Sequence, residues 1–312
     1  MAGRPSLPTR PSTTVLALFG PTGSGKSAVA EALADRIPAE LVSADAMQAY
    51  RGLPILTNQP TAPTRLVAIW PLGHEGSVGE YAALAHAAID EILDAGFTQH
   101  VVGGTGLYLR AAVGAIGLPP APLPGARERW EAFYDAEGSG RAHAELAGRD
   151  PAAAAVVHAN DRRRVVRALE LADAGHSLVP ARSRLWSEET RHPTLVAGLA
   201  PSRAVLDGTI EERTRAMFAA GVEEEVRQVL EQPLSATARK VLGLREIAEL
   251  APEDAFEAVV RRTRRYAAYQ RKWMRRIPGL VSVAADRPPD EIADEILEMA
   301  RARQFLPARR AG

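Results

Sequence analysis

The chain has 312 residues, 46% of them hydrophobic, which is enough for one large α/β domain or two modest ones. Its 38 basic and 38 acidic side chains cancel, and the absence of cysteine excludes disulfides and thiolate zinc sites. No apolar run approaches the roughly 18 residues of a membrane helix, and the first residues lack the apolar core of a signal peptide, so we expect a cytoplasmic protein with no membrane partner.

The first part of the chain alternates predicted strands and helices. Apolar runs predict strands at 13–19, 40–44 and 65–70 and from residue 98. Helices are predicted at 28–36, from the capping box of Ser77 and Glu80 to Gly96, and after the glycine turn that follows the strand from 98. This alternation predicts an α/β fold with a doubly wound parallel sheet of the P-loop NTPase type.

A change of composition near residue 120 suggests a second region. The linker "GLPPAPLPG" precedes predicted helices at 127–137, near Arg141 and at 161–174. We therefore predict a helical insertion domain at 121–192 within an α/β core at 13–120 and 193–303, with disordered tails at 1–12 and 304–312. After a strand at 193–199 we expect only helices, at 205–219, 222–230, 237–250, 253–277 and 290–302.

The stretch "GPTGSGKS" at 20–27 matches the phosphate-binding loop pattern, after a predicted strand and at the start of a predicted helix. Glycines let the backbone N–H groups surround a phosphate, and a lysine and a helix N-terminus add positive charge. Lysine occurs only three times in the chain, and one of the three is Lys26. The residues predicted to bind phosphate are Gly20, Thr22, Gly23, Ser24, Gly25, Lys26 and Ser27, and Ser27 is also the predicted Mg²⁺ ligand. Kinases, ATPases and GTPases share this loop.

Asp45 follows the second predicted strand, at the sheet edge that also carries the glycine loop. In a kinase such an aspartate would hold Mg²⁺ or accept a hydroxyl proton. The alternative is a turn or helix-capping residue.

A concentrated basic segment lies at 261–276, where eight basic residues occur with no acidic one. Such a segment in a neutral protein favours an anionic partner. One side of the predicted helix carries Arg262, Tyr266, Tyr269, Trp273 and Ile277, and we assign its aromatic residues to packing. The phosphate-contacting side is predicted to comprise Arg261, Arg264, Arg265, Lys272 and Arg275.

Six blocks resemble the tRNA dimethylallyltransferases in order and spacing, over residues 14–280. The blocks are "GPTGSGKS", "SADAMQAYRGL", "VVGGTGLYLRA", "NDRRRVVRALE", "IEERTRAMFAAG" and "RRYAAYQRKW". The resemblance implies that the loop holds the diphosphate of dimethylallyl diphosphate, with Mg²⁺, as a leaving group. The acceptor would be the exocyclic amine of the adenosine that follows the anticodon, in a tRNA anticodon stem-loop. We expect a monomer, although the sequence itself does not determine the oligomeric state.

The same resemblance assigns roles to single residues. Asp45 matches the base that takes the amine proton, Arg213 the arginine that contacts the diphosphate, and Thr105 a residue near the target nucleotide. The positions that match tRNA contacts are Asp45, Ala46, Met47, Gln48, Thr105, Arg127, Arg163, Arg164 and Arg167.

The sequence departs from the family pattern in several places. The segment after "YRGL" is "LTNQP", the usual pair of histidines is replaced within "RLVAIWPLGHEG", and the late "IGYKE" block is "LGLREI". The usual "KRQ" triplet is Ala268, Tyr269 and Gln270. The first two changes leave tRNA preference open, whereas the predicted diphosphate residues are intact.

Three other functions remain possible from the sequence. A small-molecule P-loop kinase would share the loop and Asp45 but has no use for the basic segment. Prenylation of a free adenine nucleotide would not need the residues that match RNA contacts. A non-enzymatic RNA-binding protein would bind RNA without turnover.

Overall fold

The computed structural model describes residues 14–114, 116, 122–179 and 185–306. The chain divides into two compact units, with boundaries after residues 115 and 187. The sequence placed the boundaries of the insertion five residues later at both ends. The predicted tail at 1–12 lies outside the described residues, as does the end of the predicted C-terminal tail.

A six-stranded sheet in which all neighbouring strands are parallel forms the centre of the first unit, in the order β3-β2-β4-β1-β5-β6. The strands are β1 Val15–Phe19, β2 Ala39–Ser43, β3 Thr64–Arg65, β4 Thr98–Gly103, β5 Thr194–Ala200 and β6 Val281–Ala284. The predicted parallel α/β sheet is confirmed. All five residues of β1 are buried, as expected for a strand covered on both faces.

Helices cover both faces of this sheet. They are α1 Lys26–Ala34, α2 Val78–Asp94, α3 Gly106–Val113, α7 Arg203–Ala219, α8 Val222–Leu230, α9 Leu244–Glu249, α10 Pro252–Met274 and α11 Pro289–Ala302, with a 3₁₀ turn at Ala238–Lys240. The predicted cap of α2 is present, since the Ser77 hydroxyl accepts a hydrogen bond from the Glu80 N–H. One core cluster joins apolar residues of β1 and β5 to α1 and α11.

The predicted strand at 65–70 is wrong beyond Arg65. Leu66 and Ala68 have φ of 63° and 52°, values that a strand residue does not adopt. The Ala68 and Trp70 N–H groups donate to the carbonyls of Gln48 and Ala49, at 2.8 and 2.9 Å. The segment therefore hydrogen-bonds to a loop and leaves the edge of the sheet after two residues.

The expectation of helices alone after residue 200 is also wrong, because β6 is a strand. β6 pairs in parallel with β5, with Val281 opposite Ala197. Gly198 of β5 leaves room for the Leu280 side chain just before β6, since a Cβ at that position would lie 2.5 Å from it. A four-residue edge strand has too little periodicity to be recognised beside long helices.

The start of the predicted C-terminal tail is ordered against the core. Phe305 and Leu306 are partly buried against the β1, β5, α1 and α11 cluster, and the Thr14 hydroxyl donates to the Phe305 carbonyl. The apolar side chains of these two residues explain this packing.

The second unit contains helices α4 Ala126–Arg149, α5 Pro151–Val156 and α6 Arg162–Asp173, and no strand is found in its described part. Gly138, with φ of 80° and ψ of 168°, interrupts α4, near the end predicted for the first helix. A separate core forms around Trp130, Leu146, Val165 and Leu169. No helix in the described ranges is long and apolar enough to cross a bilayer.

Candidate active site

The glycine loop connects β1 to α1, as its sequence predicted. Gly23 and Gly25 have φ of 83° and 80°, which only glycine adopts without strain. Gly20 is buried, and a Cβ on it would lie 2.6 Å from the Ser24 hydroxyl. No described side chain caps α1, so the N–H groups of its first turn remain available to an anion. Ser27 is exposed at the second residue of this helix.

Two cations converge on the loop. The Lys26 ammonium donates to the carbonyls of Gly20 and Pro21, at 3.0 and 2.8 Å. The Arg213 guanidinium, on α7, donates through Nη1 to the Thr22 hydroxyl, and its buried Nε has no hydrogen-bond partner in the described part of the chain. Burial lowers the pKa of Lys26 to about 8, an effect that Asp45 opposes and Arg213 reinforces. Burial likewise lowers the pKa of Arg213. An anion bound between Lys26 and Arg213 would offset the desolvation that lowers the pKa of both side chains.

Asp45 lies just beyond β2, within electrostatic range of both cations. Its Oδ1 accepts a hydrogen bond from the Met47 N–H at 3.0 Å, which fixes the carboxylate. The Thr105 hydroxyl, at the start of α3, accepts a hydrogen bond from the Ala46 N–H at 3.2 Å. The structure thus brings Asp45, Thr105, Lys26 and Arg213 together from four separate parts of the sequence.

Gln270 connects the glycine loop to the turn after β4, a role that the sequence did not reveal. Its buried amide accepts from the Thr22 N–H at 2.8 Å and donates to the Gly104 carbonyl at 2.9 Å. Gly104 makes room for it, because a Cβ there would lie 2.2 Å from Gln270 Nε2. Tyr266, on the same helix, lies close to Thr105 and Asp45, and burial raises its pKa. Both residues lie in a block that matched the family, which was the only available signal.

Gln48 supports the loop that follows Asp45. Its amide oxygen accepts from the Ser43 hydroxyl at 2.8 Å, and its Nε2 donates to the Asn58 carbonyl at 2.9 Å. The carboxylate of Glu225 accepts from the N–H groups of Ile55 and Leu56, both at 2.8 Å. Burial raises the pKa of Glu225, and these two hydrogen bonds oppose the rise. The altered "LTNQP" segment is therefore held by side chains from two directions.

A small cavity lies beside the cradle formed by the glycine loop and Arg213. Apart from Thr22 and Arg213 it is mainly apolar. Its other lining residues are Leu56, Ile210, Thr214, Met217, Leu242, Val259 and Thr263. The phosphate end of a diphosphate ester could thus bind the charged cradle, and its hydrocarbon end could bind the mainly apolar cavity.

The basic segment lies mainly on α10, and only part of its charge is available. Arg261, Arg262 and Arg264 form ion pairs with carboxylates of α7, α9 and α10. By contrast, Arg265 and Lys272 have no acidic partner among the residues that the structure describes. The same holds for Arg271 and Arg275 at the C-terminal end of the segment. Two of the five predicted phosphate contacts, Arg261 and Arg264, are therefore already paired.

In the second unit, the predicted tRNA-contacting arginines fall into two groups. Arg127 Nε and Arg167 Nη1 each donate to the carboxylate of Glu170 at 2.9 Å, and the Glu170 side chain is fully buried. Arg163 and Arg164 are exposed on the first turn of α6 and form no ion pair within the described ranges. A phosphate could therefore bind Arg163 and Arg164 without displacing a carboxylate.

Two family models match the sequence. The model described as IPP transferase matches residues 48–277, and the one described as Isopentenyl transferase matches residues 13–65. Together they span the glycine loop, Asp45, Thr105, Arg213 and the whole basic segment.

Whole-chain relatives agree with the family models. A tRNA dimethylallyltransferase of Anaeromyxobacter dehalogenans is 40% identical over 289 residues, covering 89% of this chain and 97% of the relative. One of Corynebacterium jeikeium is 35% identical, covering 90% and 95% of the two chains. The solved tRNA isopentenylpyrophosphate transferase of Bacillus halodurans superposes with a TM-score of 0.67 at 28% identity, covering 94% of this chain and 98% of that one. A eukaryotic dimethylallyltransferase that acts on tRNA shares the fold, with a TM-score of 0.77 at 22% identity, covering 96% of this chain and 81% of that chain.

Proposed function

This chain belongs to the IPP transferase family, and we propose that it is a tRNA dimethylallyltransferase. It transfers a dimethylallyl group from dimethylallyl diphosphate to the exocyclic amine of the adenosine 3′-adjacent to the anticodon, releasing diphosphate. One observation supports this assignment above the others. A carboxylate, two partly buried cations and an apolar cavity meet at a phosphate-binding loop.

The diphosphate is the leaving group in this proposal. Negative charge grows on its bridging oxygen as the carbon–oxygen bond breaks, and in this proposal the loop N–H groups, Lys26 and Arg213 stabilise that charge. Donors that are already oriented stabilise a transition state without reorganising, which makes such electrostatic stabilisation a large part of catalysis. The Thr22 contact and burial hold Arg213 in this orientation.

Asp45 acts as the base. The amine of adenine is a weak nucleophile because its lone pair is delocalised into the ring. As the carbon–nitrogen bond forms, the amine proton passes to the Asp45 carboxylate, a role worth about 10² to 10⁴ in rate. The Met47 N–H keeps one carboxylate oxygen oriented and leaves the other for the proton. Thr105, held by the Ala46 N–H, borders the space proposed for the nucleotide.

The cavity beside Arg213 is the proposed prenyl pocket. Its mainly apolar lining would suit a hydrocarbon chain, and because Thr22 and Arg213 line it, a chain bound there would have its first carbon next to the proposed diphosphate site. Leu56 belongs to the segment that Glu225 holds, so this carboxylate helps to shape the pocket. A longer prenyl chain is disfavoured by roughly 1 to 3 kcal/mol for each methylene that does not fit.

Mg²⁺ is the proposed cofactor. Mg²⁺ commonly binds one or two protein oxygens together with substrate phosphates. The Ser27 hydroxyl, exposed at the start of α1, fits that donor set. When bound, the ion would neutralise part of the charge on the diphosphate.

The tRNA contacts are proposed on two surfaces. In the first unit these are the unpaired cations of α10 together with the 45–48 segment and Thr105. In the second unit Arg163 and Arg164 are the proposed phosphate contacts, whereas Arg127 and Arg167 are paired with the buried carboxylate of Glu170 and are proposed to support the fold. A single chain contains every proposed group, so we propose that the monomer is active.

The test supplies Mg²⁺ and labelled dimethylallyl diphosphate with one of two acceptors. One is an anticodon stem-loop RNA whose loop ends in three adenosines, and the other is AMP. We expect label in the RNA, on the adenosine next to the anticodon. Label in AMP alone would establish prenylation of a free nucleotide instead. A parallel reaction with γ-labelled ATP should transfer no phosphoryl group, and transfer would favour the kinase.

A further inference from the structure

Tyr269 occupies an unusual position on α10. It is 55% exposed, and it is the one aromatic residue among the exposed large hydrophobic side chains in the described part of the molecule. The sequence placed it in the packing face with Tyr266 and Trp273, but those two are only partly exposed and Tyr269 faces solvent. The assignment of Tyr269 to packing is therefore wrong, since its position on the helix turns it away from the core.

Unpaired cations flank this exposed ring. Arg265 and Lys272 stand four residues before and three residues after Tyr269, which places all three on one face of the helix. Neither cation has an acidic partner in the described ranges, whereas Arg261, Arg262 and Arg264 are paired. A single exposed apolar side chain is ordinary. An aromatic ring between two available cations is what single-stranded nucleic acid binds, because bases stack on the ring and phosphates contact the cations.

The position of Tyr269 relative to the active site adds a second argument. Tyr269 lies within electrostatic range of Tyr266, one helical turn away. Tyr266 in turn lies close to Thr105 and within electrostatic range of Asp45. The exposed ring is therefore the next aromatic group outward from the residues that receive the target adenosine.

We propose that Tyr269 is a base-stacking residue for the loop nucleotide next to the target adenosine, with Arg265 and Lys272 contacting the neighbouring phosphates. This inference rests on the proposed function, in which RNA is the acceptor. A stacked neighbour keeps the loop open while the target base enters the site, so Tyr269 acts on RNA binding and not on the chemical step.

The experiment measures the Kd of the anticodon stem-loop over a salt series for Tyr269→Ala, Tyr269→Phe and a control, Leu230→Ala, which shortens another exposed apolar side chain. Tyr269→Ala should weaken binding roughly 5- to 150-fold without changing the salt slope, and Tyr269→Phe should bind like wild type. Arg265→Ala should lower the salt slope by about 0.7. A 2-aminopurine placed beside the target adenosine should change in fluorescence on binding to wild type and not to Tyr269→Ala.

The outcomes separate this inference from the proposed function. If wild type prenylates the RNA and Tyr269→Ala has an unchanged Kd and KM for RNA, the stacking role is wrong and the enzyme assignment stands. If Tyr269→Ala weakens RNA binding but wild type never prenylates RNA, the assignment fails and the stacking role stands. A wild-type dimer that Tyr269→Ala dissociates would show that the ring contacts protein, which also overturns the proposal.

Discussion

The glycine-loop cradle and the arginine-rich helix α6 are both rich in positive charge, but the structure uses that charge in opposite ways. In the cradle, Lys26 hydrogen-bonds to two carbonyls and Arg213 to one hydroxyl, so neither is neutralised by a contacting carboxylate. In the second unit, Arg127 and Arg167 enclose the buried carboxylate of Glu170. Charge that is partly buried and has no carboxylate partner favours an anionic ligand, whereas charge paired with a buried carboxylate supports the fold.

This difference shows that the number of arginines in a segment does not measure its capacity to bind phosphate. Arg162 illustrates the point, because two carboxylates on α4, Glu131 and Asp135, pair with it. Its neighbours Arg163 and Arg164 are exposed and unpaired within the described part of the unit. The following predictions test whether the distinction has functional consequences.

The largest effect is expected at Asp45, whose carboxylate is close to both cradle cations. Asp45→Asn should lower turnover by about 10² to 10⁴, because an amide cannot accept the amine proton. The amide oxygen can still accept from the Met47 N–H, so the loop and the RNA affinity should be kept. Single-turnover rates measure the loss of turnover, and stem-loop Kd values measure the RNA affinity. Asp35→Asn, at the exposed C-cap of α1, is the control, and near-normal turnover in Asp45→Asn would remove Asp45 from the role of base.

Arg213→Ala should reduce kcat by about 10² to 10³, the usual loss on removing one oriented donor to a developing oxyanion. Steady-state kinetics with dimethylallyl diphosphate as the varied substrate measures this loss. Arg215→Ala is a matched control two residues away on α7, since Arg215 is exposed and paired with Glu211. Equal effects of the two substitutions would show that the burial of Arg213 has no catalytic importance.

Lys26 predicts a dependence on pH. Because its pKa is lowered to about 8 in the free protein, the fraction of charged ammonium falls as the pH rises through that value. Affinity for dimethylallyl diphosphate should then decline by up to about tenfold per pH unit above 8, and binding there should take up a proton because the anion raises the pKa of Lys26. Calorimetry in two buffers of different ionisation enthalpy measures the uptake. Lys26→Met should show none, and uptake that persists in this variant would assign it to another group.

Much of the cradle could be predicted from the sequence, for a physical reason. The loop is a local structure whose glycines, lysine and helix start are contiguous, so eight residues specify it. Asp45 could also be placed, because the carboxyl ends of parallel strands share one edge of the sheet.

Contacts between residues that are far apart in the sequence could not be predicted. The bridge by Gln270 spans 248 residues to Thr22, and the support of Leu56 by Glu225 spans 169. No local pattern encodes either contact. The same limitation explains Arg127, whose partner Glu170 follows 43 residues later, and the short strand β6, which exists only because β5 offers an edge.

The smallest effect is expected from a direct comparison of Arg164, which is exposed, with Arg127, which is paired with the buried carboxylate of Glu170. Arg164→Ala should weaken stem-loop binding by a few fold and lower the salt slope by about 0.7, because one phosphate contact is lost, while stability stays unchanged. Arg127→Ala should lower the free energy of unfolding by about 1 to 3 kcal/mol, since Glu170 is fully buried and loses one charged hydrogen bond. Denaturant titrations and salt-dependent Kd measurements on both variants distinguish the two effects. If Arg127→Ala instead lowered the salt slope as much as Arg164→Ala, pairing with a buried carboxylate would not prevent an arginine from contacting phosphate, and the distinction between the two kinds of basic surface would not hold.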